Sequence, residues 1–244
     1  MRALLILLAL SVAPAVPVHA NGSADEDASC EAQPEQRTRN RDGSVLGLST
    51  ECPAPGIRRH LIQLYCEGGR HCDQLQIEQE SEYSRFGNVA LIDLDGDGNH
   101  EVEVRGGCGV GPNCEGDVYR VDHSGRKLQH FFSGGYAELS INDGWLLEAG
   151  RASCCSWEYH GWELSRSHEL PLHYGNMDLM VEVGMQYGES DDYDCRFSVV
   201  NGDNRVVVAP PSPALEHLCE LYGEGYRLTP PEFGPGARPR RQEQ

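Results

Sequence analysis

The sequence predicts a mainly β protein, built as propeller-like or meander antiparallel sheets, with one short helix near the C-terminal end. Three observations point there. Short strand-like runs recur at close spacing, turn signals separate them, and a single segment carries helix start and stop signals. A sandwich or a barrel would share this pattern, and the strand spacing leaves that choice open.

Taken in order, the chain opens with Arg2, an apolar run over 3–15, and small residues around His19, where signal peptidase reads. Residues 1–20 are therefore expected to be a signal peptide, cleaved near Ala20, that delivers a periplasmic or secreted chain. The run is shorter than the roughly 20 apolar residues of a membrane span, so no membrane anchor is expected. Residues 21–56 are polar, acidic and interrupted by proline, and read as a mobile leader.

Residues 57–229 are expected to form the β-rich domain. Runs at 60–65 and 74–78 flank the first close cysteine pair. Val102 and Val104 then alternate with Glu101 and Glu103, the pattern of a half-buried strand. Further runs follow at 116–121, 128–132, 137–141, 145–147, 157–164, 179–185, 196–200 and 206–208, with Ser124-Gly125 and Gly134-Gly135 as turns. Ser212 is a plausible helix N-cap and Pro213 suits the first helical position. Leu215, Leu218, Cys219 and Tyr222 mark one face, and Gly223 can end the helix. Residues 230–244, rich in proline, glycine and arginine, read as a disordered tail.

The chain carries 20 basic and 38 acidic residues, a formal net charge of −18. Nucleic acid and anionic membrane surfaces would repel it, so cations or basic proteins are the expected partners. Ten cysteines behind an export signal read as a disulfide framework. Cys66 with Cys72, and Cys108 with Cys114, each bracket five turn-forming residues, so each pair is expected to staple a hairpin. Closing so short a loop stabilises by about 2 kcal/mol. Cys30 with Cys52 and Cys195 with Cys219 are the natural remaining pairs. Adjacent Cys154 and Cys155 read either as a vicinal bridge or as partners of other cysteines.

The segment from Asp93 to Glu101 carries the clearest chemistry. Asp93, Asp95, Asp97 and Glu101 place carboxylates at loop positions 1, 3, 5 and 9, and the Asn99 carbonyl adds an oxygen at position 7. Alternate side chains of such a loop fold toward one point, and Ca²⁺ takes six to eight hard oxygens at flexible angles. Gly98 permits the sharp turn that this wrap needs. A carboxylate at position 12 is missing, where Val104 stands, and a strand follows instead of a helix, so the loop is not an EF-hand. Ca²⁺ is the expected cofactor.

Phe86-Gly87-Asn88-Val89-Ala90, the acidic loop and Glu101-Val102-Glu103-Val104 together resemble an FG-GAP or VCBS-type repeat. The resemblance implies a propeller-blade unit with calcium between two strands, ligated by Asp93, Asp95 and Asp97, with Glu101 replacing the family's aspartate. Over residues 61–164 the order of acidic loop, glycine-rich segment (106–116) and aromatic-rich strands is similar to a further group. These are periplasmic immunity proteins that inhibit lysozyme-like effectors of bacterial type IV secretion systems. That similarity implies contact residues at Gly109, Gly111, Asn113 and Tyr119, although the family's loop serine is missing here.

The expectation is thus a stoichiometric inhibitor of a basic, lysozyme-like peptidoglycan hydrolase, with calcium fixing the base of the glycine-rich loop. Neither Gly-x-Ser-x-Gly nor His-Glu-x-x-His occurs, and no enzyme is expected. The alternative is a glycan-binding or hydrolytic cell-wall module, in which Trp145, Trp157, Tyr159 and Trp162 stack on sugars. Those aromatics read equally as core. Glu189, Asp191, Asp192 and Asp194 read as a second cation site or as a solvated loop.

Overall fold

The structure, a computed structural model, describes residues 30–80, 87–108, 111–185, 193–202, 204–220 and 225–230. Among these, strands dominate and form three sheets that follow one another along the chain. The first sheet joins β1 (Gln33–Arg39), β2 (Val45–Ala54), β3 (Ile57–Tyr65) and β4 (His71–Glu80) in chain order. The second joins β5 (Asn88–Ile92), β6 (Glu101–Cys108), β7 (Cys114–Val121) and β8 (Leu128–Tyr136) in the same way.

The third sheet runs from β9 (Glu138–Asn142) through β10 (Trp145–Arg151), β11 (Ser156–Glu163), β12 (Leu179–Met185) and β13 (Tyr193–Asn201) to β14 (Asn204–Val208). β15 (Tyr226–Leu228) pairs parallel to β13 at its edge. Every other pairing is antiparallel between sequence neighbours. The result is three successive meanders, with no closed barrel among the described strands.

Side-chain alternation decides how the sheets stack. On the third sheet Leu179, Val181 and Val183 bury one face together with Trp145, Leu147 and Phe197. Leu146, Met180 and Trp162 bury the other face, against Val118, Phe132 and Tyr136 of the second sheet. The second sheet in turn packs Val102 and Val104 against Leu46, Ile62 and Leu64 of the first. Its two faces are both covered, which follows from the period of 2 along each strand. No helix among the described residues is long and apolar enough to cross a membrane.

Two expectations need correction, and the expected C-terminal helix is present. The leader boundary at residue 56 fails, because β1 and β2 lie inside 21–56 and extend the first sheet. Leu46 pairs with Leu64 and Leu48 with Ile62, and a Cys30–Cys52 bridge ties the strand end down. Strand β1 is an edge whose residues are almost all exposed, so it has no apolar alternation to read. Gly134-Gly135 is not a turn but part of β8, where a Cβ on Gly134 would collide with the Glu148 carboxylate and the Phe132 ring. The C-terminal helix is a 3₁₀ helix, Pro213–Glu220, capped by Ser212 Oγ, which accepts the Ala214 N–H at 3.1 Å. Leu215, Leu218 and Cys219 are buried as expected, and a Cys195–Cys219 bridge pins the helix to β13. Gly223, residues 1–20 and 231–244 lie outside the described residues.

Candidate metal loop and stapled loop

The acidic loop joins β5 to β6 and is shaped by its own polar side chains. Asp93 accepts the Gly98 N–H at 3.2 Å, Asp95 the Asp97 N–H at 3.1 Å, and Asp97 the Asn99 N–H at 2.6 Å. Gly96 and Gly98 take φ of 71° and 85°, a region costly for other residues, so the wrap depends on them. Asp93, Asp95 and Asp97 each bring one carboxylate oxygen within 4.8 Å of the others, on the exposed side. Oxygens bound to one Ca²⁺ at about 2.3–2.6 Å fall within about 5 Å of each other, so these three fit a hard divalent cation. The Asn99 backbone N–H holds the Asp97 carboxyl below its usual range, in the charged form that such a cation needs.

Glu101 stands apart from that trio. Its side chain is buried, with Oε1 accepting from Arg120 at 3.1 Å and Oε2 from the Leu94 N–H at 3.1 Å. Burial raises its pKa, against the opposing pull of Leu94 and Arg120. Arg120 also lies over the Phe131 ring, 3.6 Å from its centroid. Glu101 thus anchors the loop from inside, while the three aspartates face out. Leu94 packs into the core between the second and third sheets and completes the anchor.

A second support comes from the β1–β2 turn. Arg41 N donates to Gly98 O at 2.9 Å, Asp42 N to Asn99 Oδ1 at 3.1 Å, and His100 N to Asn40 Oδ1 at 2.9 Å. The Asn99 side chain is therefore engaged, donating to Asp97 Oδ2 at 2.9 Å as well. Beside the loop opens a polar cleft of about 580 Å³, lined among others by Asp95, Asp97, Arg70, Arg120 and Arg126. Arg120 and the β1–β2 turn escaped sequence reading. Their contacts cross 19 and up to 60 residues, and nothing local in the chain announces them.

At the opposite end of β6 and β7 lies the stapled loop. Cys108 and Cys114 are bridged, as are Cys66 and Cys72. Asn113 docks this loop on the third sheet, its Oδ1 accepting from Arg151 N at 2.8 Å and its Nδ2 donating to Arg151 O at 3.1 Å. Gly111 is exposed at the tip, with φ of 140° and open space beside it. Gly109 lies outside the described residues.

Tyr119 is not part of this loop. It sits six residues along β7 from Asn113, roughly 20 Å at a strand's rise, and stacks on His130 with centroids 4.7 Å apart. Burial raises its pKa, and it packs against the core between the first and second sheets. The expected mechanism by which calcium fixes the base of the glycine-rich loop is also corrected. The eight residues of β6 separate the two loops by about 25 Å.

Most of the aromatic candidates are core residues. Trp145 and Tyr159 are buried in one core and Trp162 in the other, so these three rings build no exposed sugar platform, while Trp157 is partly buried against the first. Asp194 pairs with Arg227 at 3.0 Å, while Glu189, Asp191 and Asp192 lie outside the described residues. Four disulfides are those of a chain matured in an oxidising, extracytoplasmic compartment.

No protein-family model matches this chain, and no curated protein matches it. Among solved structures, a Xanthomonas type IV secretion system related protein is similar with a TM-score of 0.41 and 14% identity, covering 73% of this chain and 99% of that one. A likeness so slight fixes neither fold nor function.

Proposed function

We propose that this chain is an exported calcium-binding protein that acts as a stoichiometric inhibitor of a basic, lysozyme-like peptidoglycan hydrolase. The observation that carries this reading is the double anchoring of the exposed loop at Gly111, by the Cys108–Cys114 bridge and by Asn113 on Arg151. A loop ordered before contact loses less entropy on binding, so a small surface can bind tightly. A net charge of −18 suits a basic partner and speeds encounter with it. The trio Asp93, Asp95 and Asp97 would hold the cation, with Glu101 and Arg120 fixing the loop beneath it.

The test is a panel of lysozyme-like enzymes assayed on cell walls with increasing amounts of the purified protein. Inhibition should saturate at one inhibitor per enzyme. Asn113→Ala and Gly111→Ala should each weaken it about tenfold, the loss of roughly 1.4 kcal/mol of contact or pre-ordering. Inhibition of no enzyme in the panel would overturn the reading, and sedimentation with insoluble glycan would move it to a sugar-binding module.

A further inference from the structure

The tip of the β10–β11 hairpin holds two cysteines outside the four bridges, Cys154 exposed and Cys155 partly so. Their Sγ atoms are 2.7 Å apart. The turn that carries them is built, not slack. Ala152 N donates to Ser156 O at 3.0 Å, and Cys155 N to Ser153 Oγ at 3.2 Å. The Ser153 and Ser156 hydroxyls are 2.6 Å apart, and the Arg151 guanidinium donates to the carbonyls of Ser153 and Cys154. This arrangement fixes the peptide between which the two sulfurs meet. It also leaves Cys154 on the surface beside Gly111, Pro112 and Asn113, with which it lines a shallow depression.

The two sulfurs are not equivalent. Cys154 is the more exposed of the two, which favours it as the sulfur that meets a bulky disulfide. The neighbouring Cys154 thiol raises the Cys155 pKa, so a thiolate at Cys155 is disfavoured. An eight-membered ring closed between adjacent residues departs from ordinary disulfide geometry, and such bridges are the easily reduced ones.

We propose that Cys154 and Cys155 form a reversible thiol–disulfide couple, with Cys154 the attacking sulfur and Cys155 the resolving one. The oxidant is a disulfide, of a small molecule or of a thiol oxidoreductase. The Cys154 thiolate attacks one sulfur of that disulfide, its S–S bond breaks, and one thiol leaves with a proton. Cys155 then gives up its proton and attacks the Cys154 sulfur, closing the vicinal bridge and releasing the second thiol. Two cysteine thiols are oxidised and one external disulfide becomes two thiols. Because Arg151 grips both this turn and Asn113, the couple reports on the stapled loop. The assignment is independent of the inhibitory reading.

The experiment uses the full chain purified from an oxidising compartment and poised in glutathione buffers, followed by alkylation and peptide mapping. Cys154 and Cys155 should become alkylatable together, at a less reducing poise than the other four bridges. Cys155→Ser exposed to oxidised glutathione should gain one glutathione at Cys154, whereas Cys154→Ser should react at least about tenfold more slowly. Thermal melts matching the wild type would show that both variants fold. Thiols that stay alkylatable in oxidised glutathione would overturn the proposal, as would a bridge from Cys154 to a second copy. Equal rates in the two single variants would overturn the assignment of roles.

Discussion

At one end of the β6–β7 ladder the acidic loop is held by hydrogen bonds to carboxylates, while at the other a loop of similar size is closed covalently. Both ends were marked in the sequence by glycine and by regular spacing, yet the forces that order them differ. Three exposed aspartates crowded within 4.8 Å repel each other unless a cation sits among them. The stapled loop contains no such conflict and is indifferent to ions. Strand β6 joins two loops that should answer to different solution conditions.

The largest test of that contrast is calcium itself. At a hundredfold excess over the dissociation constant, Ca²⁺ should stabilise the fold by about 2.7 kcal/mol. Thermal melts with calcium and with chelator measure this, and Asp95→Asn should abolish the difference. Superimposable wild-type melts would remove the metal from the acidic end. Replacing Cys108 and Cys114 together by serine should cost about 2 kcal/mol in chemical denaturation. The calcium-induced shift should survive that change intact, and its loss would show that the two ends are coupled through β6.

The smallest effect lies outside both ends and sets their baseline. His60 on β3 is buried, with Nδ1 3.0 Å from Thr50 Oγ1, and burial lowers its pKa. A histidine with a depressed folded pKa contributes stability that is present above its unfolded pKa of about 6.5. That contribution is lost as pH falls through the folded value. Wild type should therefore weaken on acidification below about pH 6.5, and His60→Gln should weaken less. Identical acid curves for the two chains would assign the acid sensitivity elsewhere.

Much of this architecture was legible because it is local. Cysteines six residues apart around turn formers announced their own bridges, and β12 shows from Leu179 onward in alternating apolar residues. Strand β1 was not legible, since an exposed edge shows no apolar pattern, and Gly134 was misread because the Glu148 packing that requires glycine comes from another strand. At the site, the aspartates were found by spacing alone. Glu101 shares that spacing, but Arg120 draws it inward, an ion pair across the sheet that no periodicity encodes. Tyr119 was expected on a strand and as a partner contact, but the β7 register opposite Val102 places it on the face covered by the first sheet.

The docking of the β1–β2 turn on the acidic loop also carries a chronology. Asn40, Arg41 and Asp42 are made early, but their partners Gly98, Asn99 and His100 follow some 60 residues later. Ladders between neighbouring strands close over short loops and form quickly, whereas contacts across long stretches of chain wait for loop closure. The tip of the β1–β2 hairpin is thus secured only after the strands of the first sheet and β5 have been made.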